Sequence, residues 1–226
     1  MVKTKLATNP TLEGYTERQR MAEILRILEK EYPDAKCSLN FKTPFQLLIA
    51  TILSAQCTDE RVNKVTPELF KQFPGPREMA RAEISKIEKL VQSTGFFRSK
   101  AKSIHEVSKT VLEEYQGEVP RDRALLVKMR GVGRKTANVT LGVSFGIPAL
   151  VVDTHVGRIS RRLGFTRATD PVKVEFELME IVPEKNWTHY GHLLIQHGRK
   201  ICTARKAMCE ICPISELCPK IGVKAS

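Results

Sequence analysis

The sequence predicts an all-α protein built as two helical lobes. Apolar residues recur at three- and four-residue intervals almost everywhere, the period of a helix with one buried face. Helix-start signals repeat along the chain, with Thr or Asp before an apolar run and often a proline or glutamine just inside it. No stretch shows the strict alternation of a half-buried strand.

Met21, Ile24, Leu25 and Leu28 follow Thr16-x-x-Gln19, the spacing of a capping box, and define the first helix. Thr43-Pro44-Phe45-Gln46 supplies an N-cap, a first-turn proline and a capping glutamine ahead of Leu47, Leu48, Ile52 and Leu53, so a second, largely buried helix starts there. Val62 and Val65 begin a third helix, which Thr66-Pro67 should interrupt or kink, because proline offers no N–H to the preceding turn. Ile84, Ile87, Leu90 and Val91 mark a helix that Gly95 ends, and Ala101, Ile104, Val111, Leu112 and Tyr115 mark one closed by Gly117. Further helices are expected at about 122–128, 134–144, 154–163, 171–181 and 187–197. Gly146-Ile147-Pro148 reads as the crossing between the lobes.

The chain of 226 residues is long enough for one large domain or two small ones with real cores. Its 37 Lys and Arg against 25 Asp and Glu leave a net charge of +12, which favours a polyanionic partner. Charge alone does not separate nucleic acid from an acidic membrane surface. The longest apolar run, Phe45 to Leu53, is broken by Gln46 and falls far short of the roughly 20 residues that a span needs, so no membrane segment is expected. Residues 1–15 lack the apolar stretch and cleavage site of a secretory leader, which points to a reducing cytoplasm and away from disulfides.

Of six cysteines, Cys37 and Cys57 stand alone, whereas Cys202, Cys209, Cys212 and Cys218 fall within seventeen residues. Such clustering in a reducing compartment points to an inorganic centre. A spacing of six, two and five lets the loops wrap one iron–sulfur cubane. Zinc is the alternative, although structural zinc sites favour two close pairs separated by a longer finger. Arg205 and Lys206, inside the first of these loops, would present positive charge to a phosphate.

Leu125, Leu126 and Met129 close one helix, Gly131-Val132-Gly133 forms a tight turn, and Arg134 to Val139 opens the next. This is a helix-hairpin-helix. Its two glycines free the backbone and let a phosphate approach the N–H groups at the following helix start. A helix-helix corner without function is the commoner fate of Gly-x-Gly, but Arg130, Arg134 and Lys135 around the turn favour phosphate. Lys135 is the candidate nucleophile, because the helix dipole and the flanking arginines favour the uncharged amine that attacks a sugar C1′. Most lysines are merely solvated charges, so its place in the hairpin singles it out. Asp153, after the apolar run Ala149 to Val152, should cap a helix and is the candidate carboxylate to stabilise positive charge on the deoxyribose.

Gly131-Val132-Gly133-Arg134-Lys135-Thr136-Ala137-Asn138, Val152-Asp153-Thr154-His155, Ser54-Ala55-Gln56-Cys57-Thr58-Asp59 and the four-cysteine loop together resemble the endonuclease III family, in order from about Leu39 to Cys218. The resemblance implies a six-helix barrel over residues 37–147 that carries the hairpin at about 122–144. It implies a second lobe, from 1–36 and 148–226, that holds a [4Fe-4S] cluster, with a DNA groove between the two. It implies a monomeric bifunctional DNA glycosylase and AP lyase, in a bacterial or archaeal cytoplasm near the nucleoid. The substrate would be double-stranded DNA containing oxidised pyrimidines or abasic sites, with the damaged base flipped out of the stack. Lys135 would form a Schiff base, and β-elimination would cut on the 3′ side. Gln56 would fill the gap, Phe96 would be the wedge where the family often has leucine, and His155 and the residues from Arg130 to Arg134 would contact DNA. Two departures stand out: Arg130 in place of the usual proline, and Cys57 where alanine is common.

Two other readings share parts of this pattern. A monofunctional adenine-type mismatch glycosylase would keep the hairpin, the aspartate and the cluster but lack Lys135. A DNA-binding protein without catalysis would use the cluster as a sensor or a staple.

Overall fold

The computed structural model describes residues 14–223, so most of the leader reading at 1–15 lies outside the described residues. Helix α1 (Glu17–Glu31) starts at the predicted capping box: the Gln19 N–H donates to Thr16 Oγ1 at 3.2 Å and the Thr16 N–H donates to Gln19 Oε1 at 2.9 Å. Helix α2 (Pro44–Leu53) is capped by Thr43, but its glutamine reaches one residue further back than a capping box does, accepting from the Lys42 N–H at 2.9 Å.

Helix α3 (Asp59–Gln72) continues through Pro67, so of the expected interruption or kink the interruption does not occur. An internal proline costs about 3 kcal/mol. Val62 and Leu69, fully buried on either side of it, gain about 1.5–3 kcal/mol each, and the packing wins. The sequence reading missed α4 (Pro76–Arg81), one and a half turns with proline at the start, which buries Met79 and Ala80 and packs on α6 (Phe97–Glu114). Between them α5 (Ile84–Val91) passes into a 3₁₀ turn, Gln92–Thr94, before Gly95. The remaining helices are α7 (Arg123–Leu126), shorter than expected, α8 (Arg134–Phe145), α9 (Thr154–Arg162), α10 (Pro171–Met179) and α11 (Trp187–Lys200). Among the described residues the only β feature is an isolated bridge between Cys202 and Ala207, and no helix is long and apolar enough to cross a membrane.

The chain divides into two compact units, one running Cys37–Ile147 and the other made of the residues up to Lys36 together with those from Pro148 onward. The first contains α2 to α8, with α2 packed on α3, α6 and α8. Its core includes Leu47, Leu48, Ile49, Leu53 and Ile104, all fully buried. The second joins both ends of the chain around Met21, Ile24, Leu28, Val156, Tyr190 and Leu194. Arg20 on α1 fastens that union. Its Nη1 donates to the carbonyls of Leu163 at 2.6 Å and Leu217 at 3.1 Å, and its guanidinium lies 4.0 Å from the Phe165 ring centre.

Candidate active site

The hairpin is built from its caps inward. Asp122 Oδ1 accepts the N–H groups of Ala124 and Leu125 and starts α7. The Met129 N–H then donates to Leu126 O, and the Val132 N–H to Met129 O, each at 3.1 Å. Val132 is 4% exposed, so it plugs the turn into the core and its N–H is already committed. It anchors the turn rather than facing outward.

The two glycines differ in kind. Gly131 has φ +76°, and a Cβ there would lie 2.8 Å from both Cβ and Oγ of Ser103. Only glycine fits without displacement. Gly133 has an ordinary φ of −85°, and a Cβ there would meet nothing within 4 Å. The fold therefore does not require glycine at 133, contrary to the expectation that both positions need special dihedrals. Gly133 is the N-cap of α8, and no side chain caps that helix start. Ala137, Asn138 and Leu141 turn inward, while Lys135 and Arg130 are exposed and Arg134 is half-buried.

Three other exposed residues of this unit hold left-handed backbones: Gln56 at φ 52°, Phe96 at φ 46° and Gln116 at φ 56°. Such conformations cost of order 1–3 kcal/mol for a residue with a side chain. Phe96 is also 68% exposed, although it is a large apolar group. Nothing in the sequence pattern announced this strain.

Asp153 caps α9, its Oδ1 accepting the Val156 N–H at 2.8 Å. His155, half-buried, has Nδ1 3.1 Å from Arg158 Nη2, and burial lowers its pKa against the opposing pull of Asp153. A Cβ on Gly198 would sit 2.5 Å from that nitrogen, so α11 approaches closely only because it carries glycine there. Arg158 also donates to the Cys202 carbonyl at 2.9 Å, tying α9 to the cysteine loop. Arg158 and Arg162, one turn apart on α9, were not singled out from the sequence, although their spacing offered the signal.

Cys202, Cys209, Cys212 and Cys218 line one pocket, walled by apolar residues including Ile159, Leu163 and Ile214. Arg162 Nη1 donates to Cys202 Sγ at 3.1 Å and the Lys220 N–H to Cys218 Sγ at 3.3 Å; His197 Nε2 lies 3.6 Å from Cys212 Sγ. Burial pushes the Cys212 thiol up to about 11 and raises Cys218 as well, so a cationic centre is needed before these sulfurs ionise near neutrality. Among the described residues no three Cys, His, Asp or Glu side chains close on a single metal ion. The Cys202–Cys209 loop is braced by the Met208 N–H on Ile201 O at 3.1 Å and the Lys206 N–H on Thr203 Oγ1 at 3.2 Å. Arg205 and Lys206 stand exposed on this loop.

Comparison with known proteins agrees with this geometry. Residues 49–184 match the HhH-GPD superfamily of base excision DNA repair proteins. Endonuclease III of Synechocystis sp. is 52% identical over 205 residues, covering 90% of this chain and 94% of that protein. A non-covalent endonuclease III–DNA complex superimposes with a TM-score of 0.85 at 44% identity, covering 90% of this chain and 96% of its own. A trapped endonuclease III–DNA covalent intermediate matches with the same values.

Proposed function

We infer the activity from one premise: this chain belongs to the endonuclease III family of HhH-GPD base excision DNA repair proteins. It is a bifunctional DNA glycosylase and AP lyase that removes oxidised pyrimidines from duplex DNA and cuts the strand at the resulting abasic site. The observation that carries the assignment of its site is the uncapped start of α8, where Gly133 leaves room for a phosphate and Lys135 stands exposed one residue into the helix.

The roles follow from the chemistry each group can perform. The Lys135 amine attacks C1′ of the extruded nucleotide, and the base departs with the electrons of its glycosidic bond and takes up a proton. Opening of the sugar leaves an iminium between C1′ and Nζ. Loss of a C2′ proton then expels the 3′ phosphate by β-elimination, and water releases the lysine. Asp153, one oxygen of which caps α9, stabilises positive charge on the sugar and assists proton transfer. Phe96 and Gln56 occupy the space left in the stack, which accounts for an aromatic ring held in water on a strained backbone. Gly131, Gly133, Arg130 and Arg134 grip phosphate without reading sequence, with Val132 as their anchor, and His155, Arg205 and Lys206 add contacts from the other unit.

The four cysteines suit a [4Fe-4S] cluster: they are soft ligands around one apolar pocket, with hydrogen-bond donors on Cys202 and Cys218. When bound, the cluster supplies the cross-link that fixes the loop bearing Arg205 and Lys206. The protein acts as a monomer.

Borohydride reduction in the presence of lesion-bearing duplex tests the central role. The wild-type chain should be trapped covalently and Lys135→Gln should not. Trapping that survives the substitution removes Lys135 from the chemistry.

A further inference from the structure

Lys100 on α6 is only 5% exposed, an unusual place for an ammonium group. Its Nζ donates to Thr94 O at 2.7 Å, and its backbone N–H donates to Phe96 O at 3.0 Å. One residue therefore grips both flanks of the Gly95-Phe96 turn, where φ is +71° and +46° in succession. Thr94 is a firm anchor, 2% exposed, with its own hydroxyl donated to Val91 O at 2.7 Å. Cys57, the neighbour of Gln56, lies close enough to act on the same ammonium electrostatically.

Stability does not explain this arrangement. A buried ammonium group with a neutral carbonyl for its partner is costly, and burial shifts Lys100 toward its neutral form. Methionine would fill the same volume without the charge. A costly group that fastens a strained, exposed aromatic turn is what a pre-organised contact requires.

We propose that Lys100 is a positioning residue for the DNA wedge, holding Phe96 in its left-handed turn beside the Gln56 turn so that the base opposite the lesion is displaced on binding. The proposal rests on the reading of Phe96 as a wedge. It gives Lys100 no contact with the reacting atoms.

The test is a duplex carrying 2-aminopurine opposite an abasic site, whose fluorescence rises when that base is unstacked by bound protein. With Lys100→Met the rise should fall by roughly fivefold, the shift expected from losing one anchoring contact. The melting temperature should stay the same or increase. Lys100→Gln, which keeps a donor on a shorter side chain, should recover part of the signal. A full rise in Lys100→Met overturns the proposal. So does a series in which melting temperature and signal fall together, since Lys100 would then be a core residue only. Phe96→Ala serves as the control: if it leaves the rise intact, the wedge reading fails, whatever Lys100 does.

Discussion

Replacing Gly131 and Gly133 singly by alanine separates what the fold needs from what a ligand needs. At Gly131 the left-handed backbone costs an alanine about 1–2 kcal/mol. The 2.8 Å approach to two atoms of Ser103 forces a shift worth about 1–3 kcal/mol more. A loss of about 2–5 kcal/mol should lower the melting temperature of a chain this size by roughly 4–20 °C. At Gly133 the backbone is ordinary and the space is open. Reduced freedom of the unfolded chain stabilises the alanine by about 0.4–1 kcal/mol. Loss of glycine's slight advantage over alanine at an N-cap offsets a similar amount, so stability should hardly change. Affinity for a duplex bearing a stable abasic analogue should nevertheless drop roughly tenfold, or about 1.4 kcal/mol, because a methyl group stands where phosphate must approach. Differential scanning and fluorescence anisotropy at a fixed salt concentration measure both. A Gly133→Ala protein that melts early, or that binds DNA normally, refutes the distinction.

Neutralising Arg205 and Lys206 together should weaken DNA binding and flatten the plot of log affinity against log salt by about 1–2 in slope; an unchanged slope excludes phosphate contact there. The purified protein should be brown, with iron and sulfide in about equal amounts, whereas colourless protein containing zinc overturns the cluster assignment. Burial holds His192 down at about 4, below an unfolded value of about 6.5. The unfolded chain therefore takes up that proton first, so His192 sacrifices no stability above pH 6.5 and sacrifices progressively more as pH falls toward 4. His192→Gln should reduce the fall in melting temperature between pH 7 and pH 4.5, and an identical fall in both proteins counts against the assignment.

Helix existence was legible because it rests on period and caps, both written locally in the chain. Thr16, Gln19 and Asp153 show this directly, each forming the cap its sequence context implied. The interruption expected at Pro67 does not occur because a local rule met a tertiary force: α3 buries residues on both sides of the proline, which no local rule can register. Helix α4 escaped because six residues are too few to show a period. Within the site, the residue types at Lys135, Asp153 and the four cysteines were visible as chemistry. The difference between Gly131 and Gly133 was not, because it depends on Ser103, distant in sequence. The burial of Lys100 likewise arises only once the 3₁₀ turn folds back on α6.

The awkward backbones at Gln56 and Phe96 carry a warning for anyone engineering this protein. Glycine or asparagine at either position would relax the main chain, and at 96 would also withdraw a greasy ring from solvent. Screening for heat tolerance alone would reward both changes. Given the wedge role proposed for these two residues, the survivors would be hardier and duller tools, still clinging to the helix they patrol but slow to prise it open, and a thermal assay would record them as improvements.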